Sequence, residues 1–334
     1  MGEPSELSLP PEDNNNGNIA ADRIKGAIFG FALGDAVGFA MKNSKEYPHS
    51  EPIKGYPVGD WTALTDQLIV TFRCFKNALT VGNIIGSDQC KSNLAASLLK
   101  WSQSGLAECG DSAGHGITPS LGLIYNHDEF VSDPIKVAGD ICTQSRGTFM
   151  GNAGLLRACI PMSDPQSAIE SAVVACAVTH CDVRCISCAV IAAMMIHGVI
   201  FTSESAVDVM EFAFGMAEKS SNQLLDPPLK NIIVAAAAGK IDELKLTEVG
   251  KTDHVYKCLA IMVYAMQVID VAERNETLPS FSKVIKKIAS FGGDCDANCA
   301  AAGMIIGAYV GYNNLPLDWV NGLSHAKILH DLVV

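Results

Sequence analysis

The sequence predicts an all-helical protein, on three observations. Ala, Leu, Ile and Met recur at three- and four-residue spacing along most of the chain, the period of a helix with a buried face. Alternating apolar–polar runs of strand length are almost absent, which argues against any sizeable sheet. The Gly- and Pro-rich breaks, at 48–60, 105–120, 145–153 and 223–229, are too short to be domain linkers. A compact multi-helix bundle packed in layers, one domain over 21–334, accounts for all three.

Taken in order, the chain opens on MGEPSELSLPPEDNNNGN, an acidic polar stretch with no apolar segment, so it does not read as a secretory signal. It cannot bury enough surface to offset its chain entropy, and residues 1–20 are expected to form a disordered acidic tail. Gly2 is a weak myristoylation signal, with no basic or second lipid signal beside it. Helical periodicity then covers 22–37, 66–79 and 89–103, resumes over 166–178, 184–201, 205–218 and 228–238, and closes with 255–272, 281–290 and 297–311. The apolar run CAVIAAMMIHGVIF at 188–201 falls short of the roughly 18 residues of a membrane span and reads as a buried helix carrying His197.

Composition limits the function classes. Of 334 residues, 24 are Lys or Arg and 36 Asp or Glu, a net charge of −12, while 49% are hydrophobic and 18% charged. That is a globular composition with a large core, and its acidity argues against a nucleic-acid binder, which needs clustered cations for phosphate. The 12 cysteines lie scattered through apolar segments. With no secretory signal they read as reduced core thiols in an intracellular, cytoplasmic protein. The one cluster, His180, Cys181, Cys185 and Cys188, lacks a second pair at zinc-finger distance and opens an apolar helix, so core thiols are the better reading.

Five glycine-rich junctions interrupt the helices: Gly34-Asp35-Ala36-Val37-Gly38, Gly59-Asp60-Trp61-Thr62, Gly110 to Gly116, Gly151-Asn152-Ala153-Gly154 and Gly292-Gly293-Asp294-Cys295-Asp296. Any one of them can be a helix cap; five together suggest one shared site. The sharpest is the last. Asp294 and Asp296 can both project from the first turn of a small-residue helix, where the dipole favours negative charge. Two such carboxylates repel unless a cation or proton intervenes, and Mg²⁺ is the natural partner for a hard oxygen pair. The plain alternative is that one aspartate caps the helix and the other is solvated.

With these residues in hand, the chain resembles the ADP-ribosylglycohydrolase family. The resemblance rests on RIKGAIFGFALGDAVG, GDWTALTDQ, GDSAGHGIT, GNAGLLRACIP, VTHCDVRC and FGGDCDANCAAAG, six motifs in order between about Arg23 and Leu323. It implies a compact helical domain with a cleft for ADP-ribose, in which two Mg²⁺ ions of active members activate water at the anomeric carbon.

Carried over by position, the match is uneven. A family Thr-Asp-Asp-Thr metal motif falls on Thr62-Ala63-Leu64-Thr65, so both carboxylates are lost while Thr62 is kept; the other register, Thr65-Asp66, would need Gln67 as the second ligand. Asp294 and Asp296 match the second metal motif and are the catalytic and metal candidates, but Ala297 replaces a ligand hydroxyl. Lys42 stands where a family glutamate is common. About five carboxylates balance two dications in the family pattern, so Mg²⁺ here is expected to be weak, single or absent. Lys42 either reaches the aspartate pair as a salt bridge or points away into solvent. The implied substrate-binding residues are Asp35, Gly114, His115, Gly116, Gly151, Asn152 and His180, with glycine amides suited to the diphosphate and Arg157 following in the same segment.

These departures imply a catalytically impaired relative that can retain ADP-ribose binding or a structural role. The alternative is an active metal-dependent hydrolase that removes ADP-ribose from modified protein side chains, and a third is a plain helical interaction module. Either of the first two makes ADP-ribose or an ADP-ribosylated protein the partner, without nucleic acid or membrane. With the cleft depleted of acid groups, most of the −12 charge should lie on the tail and outer surface.

Overall fold

The computed structural model describes residues 14–333 apart from 45, 48–50 and 55. Among them, fifteen α-helices form, with no named strand; the two bridges, Ile53 with Tyr56 and Gly151 with His254, are isolated. In order they are α1 (Asn14–Asn43), α2 (Ala63–Thr80), α3 (Asp88–Ser104), α4 (Pro119–Tyr125), α5 (Pro134–Gln144), α6 (Ala153–Arg157), α7 (Pro165–Ala177) and α8 (Val183–Phe201). There follow α9 (Ala206–Ser221), α10 (Pro227–Ala237), α11 (Val255–Arg274), α12 (Phe281–Ala289), α13 (Cys295–Val310), α14 (Leu317–Gly322) and α15 (Ala326–Leu332).

The helix starts follow local chemistry. Side chains of Thr62, Ser87, Thr118, Asp133, Asp164, Asp182 and Ser205 each accept a backbone N–H of the first turn, satisfying donors the helix itself cannot. Proline occupies the first turn of α4, α5, α7 and α10, where its missing N–H costs nothing. The helices α4, α5 and α6 fall in or beside segments read above as breaks; they are short, and too few apolar positions repeat in them to register as a period.

Two expectations are corrected. Helix α1 begins at Asn14, inside the segment assigned to a disordered tail, because it continues outward from a packed helix; residues 1–13 lie outside the described residues. Three helices, around Gly17–Asn43, Val183–Phe201 and Val255–Arg274, are long and apolar enough to cross a membrane by length and composition. Their apolar windows are instead 83%, 83% and 72% buried within the protein, because α1, α8 and α11 form its centre. A helix apolar on every side belongs in a core or a bilayer, and here the surrounding helices supply the core.

That centre is built on an antiparallel contact between α1 and α13. Every four residues α1 presents a glycine to the partner backbone: Gly26 to Gly307, Gly30 to Gly303, Gly34 to Cys299, and Gly38 to Cys295 and Asp296. A methyl group added at Gly26, Gly30 or Gly34 would overlap the facing carbonyl oxygen. The two backbones therefore touch directly, as small residues at four-residue spacing permit. One further step of the same spacing leads to Lys42 on α1 and to the start of α13.

Candidate functional site

A cleft of about 910 Å³ opens at that end of the α1–α13 contact. The start of α2 supplies Thr62, Ala63 and Leu64 to its wall, the start of α13 supplies Asp294 and Asp296, and three loops, around 116–121, 147–153 and 250–254, close the rest.

Thr62 caps α2 and also fastens it to α1. The carboxylate of Asp35, fully buried, accepts the backbone N–H of Thr62 (3.0 Å) and Thr65 (3.1 Å) and the hydroxyls of both (2.7 Å each). Burial first, and then the charge of Asp296, push Asp35 up to about 7 against the pull of those four hydrogen bonds. Because Thr65 is turned inward onto Asp35, Thr62, Ala63 and Leu64 are the residues of this motif that line the cleft. Asp66 points away from it: its two oxygens accept the indole N–H groups of Trp61 (2.9 Å) and Trp101 (3.1 Å). Asp66, the carboxylate of the other register, is thus turned away from the cleft, while Ala63 and Leu64 of the gap-free register line it.

Asp294 and Asp296 project from the first turn of α13 into the cleft. Asn152 donates its amide to Asp294 at 2.8 Å, and the Lys42 ammonium lies 3.4 Å from Asp296 and 3.9 Å from Asp294. Burial and the neighbouring Asp296 charge hold Asp294 up at about 7, while Asn152 and Lys42 pull it down. For Lys42, partial burial acts to lower the pKa, but the charges of Asp296 and Asp294 outweigh it and raise the value overall.

Gly151 pairs with His254 in an isolated bridge, and a side chain there would press on the His180 ring, its Cβ 3.2 Å from Nε2. His180 is stacked on Phe149 at 4.5 Å, and its Nδ1 meets the Thr179 hydroxyl at 2.7 Å. Burial, reinforced by the nearby Arg157 charge, drives its pKa to about 3, so it lines the cleft as a neutral ring and not as a base. Arg157 is buried behind it, donating to the Ala175 carbonyl, the Gln67 amide oxygen and the Thr179 hydroxyl.

The glycine loop divides. Gly116 lines the cleft, whereas Gly114 packs on the backbone of Ser102 and Trp101 at the end of α3, donating its N–H to the Ser102 carbonyl. His115 is exposed, its ring 5.5 Å from that of Tyr56 at the rim. Three groups of the far wall escaped the sequence reading: Phe149, Arg184 and the loop carrying Lys251 and His254. Arg184 is held by Asp182 at 2.6 Å and by the Gly147 carbonyl at 2.9 Å. The loop is anchored by buried Lys257, which donates to the Lys245 carbonyl (2.6 Å) and to Glu248 (3.2 Å). The order Asp182-Val183-Arg184 at a helix start was the one visible hint; nothing in the pattern of 245–254 pointed to a cleft wall. The cleft thus has an acidic end with one lysine and a basic end with an arginine, a lysine and glycine-rich backbone.

A family model for ADP-ribosylglycohydrolase matches residues 16–334. The chain belongs to the ADP-ribosylglycohydrolase family. No curated protein matches it. Forty-four chains of solved structures do, among them one from an "ADP-ribosylglycohydrolase-related protein complex", 18% identical over 95% of this chain and 97% of that one, with a TM-score of 0.62. At that identity the likeness shows the fold.

ADP-ribosylglycohydrolases are metal-dependent as a family. The side chains at the acidic end of this member do not fit two Mg²⁺ ions. Asp294 and Asp296 are the carboxylates that face the cleft there, Ala63 and Leu64 offer no donor, and Asp35 has both oxygens committed to Thr62 and Thr65. Mg²⁺ needs near-octahedral oxygen ligation and sheds water reluctantly, so two carboxylates shared with an ammonium are too few for a pair of ions. Elsewhere, Asp66, Cys109 and Asp111 bring ligand atoms within 4.8 Å of one another, a grouping outside the cleft lining whose Asp66 is held by the two indoles.

Proposed function

We propose that this cleft binds ADP-ribose and that its capacity to cleave the glycosidic bond is impaired. The observation that carries the reading is the pair Ala63 and Leu64 on the cleft wall beside Asp294 and Asp296. Cleavage at an anomeric carbon needs a water made nucleophilic at that end. A methyl and an isobutyl group cannot help to do so. Binding asks less: the ribose hydroxyls can donate to Asp294 and Asp296, Asn152 can orient them, and Arg184 with the amides around Gly151 suits a diphosphate. An ADP-ribosylated protein is the partner such a cleft would receive, in the cytoplasm, where unpaired thiols persist.

Calorimetry with ADP-ribose, with and without Mg²⁺, tests the binding, and release of ADP-ribose from modified arginine and serine peptides tests the chemistry. Binding without turnover is expected. Metal-dependent turnover would overturn the reading in favour of an active hydrolase, and absence of binding would leave a structural helical module.

A further inference from the structure

The carboxylates of Asp294 and Asp296 share the mouth of one helix turn, with Asp35 buried behind them. Such a group is relieved by a proton or by a cation close by. The other cations of the cleft are engaged elsewhere, Arg184 with Asp182 and Lys251 with Glu248 at 2.9 Å. Among the described residues, the Lys42 ammonium is the one that meets both aspartates. Its place is set by the fold. Lys42 follows Gly38 by one step of the four-residue spacing that holds the α1 backbone on α13, and Gly38 itself lies against Cys295 and Asp296.

From this geometry we infer that Lys42 is the resident cation of the cleft, occupying the position between Asp294 and Asp296 that a divalent ion would take and so excluding that ion. The inference rests on the reading of this cleft as the ligand site and adds what sets its metal dependence. An arriving dication must break both contacts of the ammonium and then tolerate it as a like-charged neighbour, on two carboxylates instead of several. Replacing Lys42 by glutamate reverses every term: it removes the competitor, adds a third carboxylate and leaves the aspartates in place.

The test uses Mn²⁺ alone, followed by electron paramagnetic resonance on the full chain, so that a failure to bind ADP-ribose would leave it untouched. The quantity read is the Mn²⁺ binding abolished by Asp296→Asn, which separates this site from ion taken up by Asp66, Cys109 and Asp111. Wild type should show none of it at millimolar Mn²⁺. Lys42→Glu should bind one ion at least roughly tenfold more tightly than wild type, the lower range for a change beside metal ligands, and Lys42→Gln should fall between them. Unchanged far-UV circular dichroism identifies the variants that fold, and Lys42→Gln serves if Lys42→Glu does not. Wild type binding Mn²⁺ as tightly as the variants would overturn the inference, as would folded variants that bind none.

Discussion

At the Gly26–Gly307 end, α1 and α13 touch backbone to backbone; at the other end, past the start of α13 at Cys295, α1 brings Lys42 to Asp294 and Asp296 at the cleft. The residues that differ are few, but the solvent exposure differs completely. Gly30 and Gly303 are enclosed, while the Lys42 side chain retains 45% of its exposure. In the enclosed part a single methyl has nowhere to go. In the open part a side chain can change charge and still leave the fold standing. The lesson is that one helix pair carries a part that fixes the fold and a part whose chemistry is free to vary, because only the first is sealed.

Gly30→Val should break the enclosed part most severely. It drives a branched side chain into the Gly303 carbonyl, and overpacking of this kind costs about 3 kcal/mol or more; the midpoint of urea unfolding should fall accordingly. Gly38→Ala, at the boundary, tests how far the two parts are coupled. Its methyl would stand 2.5 Å from the Cys295 carbonyl and 2.7 Å from the Asp296 Cα. A loss of about 1–3 kcal/mol is expected, together with weaker ADP-ribose binding by calorimetry, since Asp296 must move. Stability lost with binding intact would show that the cleft does not depend on the helix register.

Asp66 sharpens the contrast, as a buried aspartate with two donors against the partly buried Asp294 and Asp296. Burial raises it from 3.8 to about 6 despite both indole hydrogen bonds. The folded protein therefore holds a proton there that the unfolded chain has released, so stability falls as pH rises from about 4 to about 6. Asp60, also raised to about 6, adds to the same window. Tryptophan fluorescence should titrate with a midpoint near 6 through Trp61 and Trp101, and Asp66→Asn should remove the larger part of that step, leaving what Asp60 contributes at Trp61. The same substitution should cost about 1–3 kcal/mol at neutral pH, because an amide N–H then faces an indole donor. Lys42→Met should have the smallest effect, under about 1 kcal/mol in thermal unfolding, as befits a half-exposed ion pair.

Much of the fold was legible because long helices repeat. The period predicted 22–37, 184–201, 255–272 and 297–311, and α1, α8, α11 and α13 cover them but for Gly311, which ends α13. The short α4, α5 and α6 were not, although Thr118-Pro119 and Asp133-Pro134 are sound helix starts, since helices of 5 to 11 residues are too short to repeat an apolar face. In the cleft, Asp294, Asp296, Asn152, Gly151, Gly116 and His180 come together as the motifs suggested. Lys42 was legible as a choice between two directions, and the structure directs it to the aspartates. Asp35 holding Thr62 and Thr65, or Asp66 held by two indoles, was not readable: nothing local in a string tells which carboxylate turns inward. Gly114 shows the converse, a motif glycine whose task is to let a loop lie on α3.

The four-residue spacing of α1 also acts as an address. One residue inserted between Gly38 and Lys42 would rotate everything beyond it by about 100°, swinging the ammonium off the acidic face while the glycines stayed seated. Substitution at position 42 edits what is delivered to the cleft; insertion before it changes where delivery is made. A lineage of such proteins can therefore exchange the charge it sends to this corner one codon at a time, without renegotiating the path that carries it there.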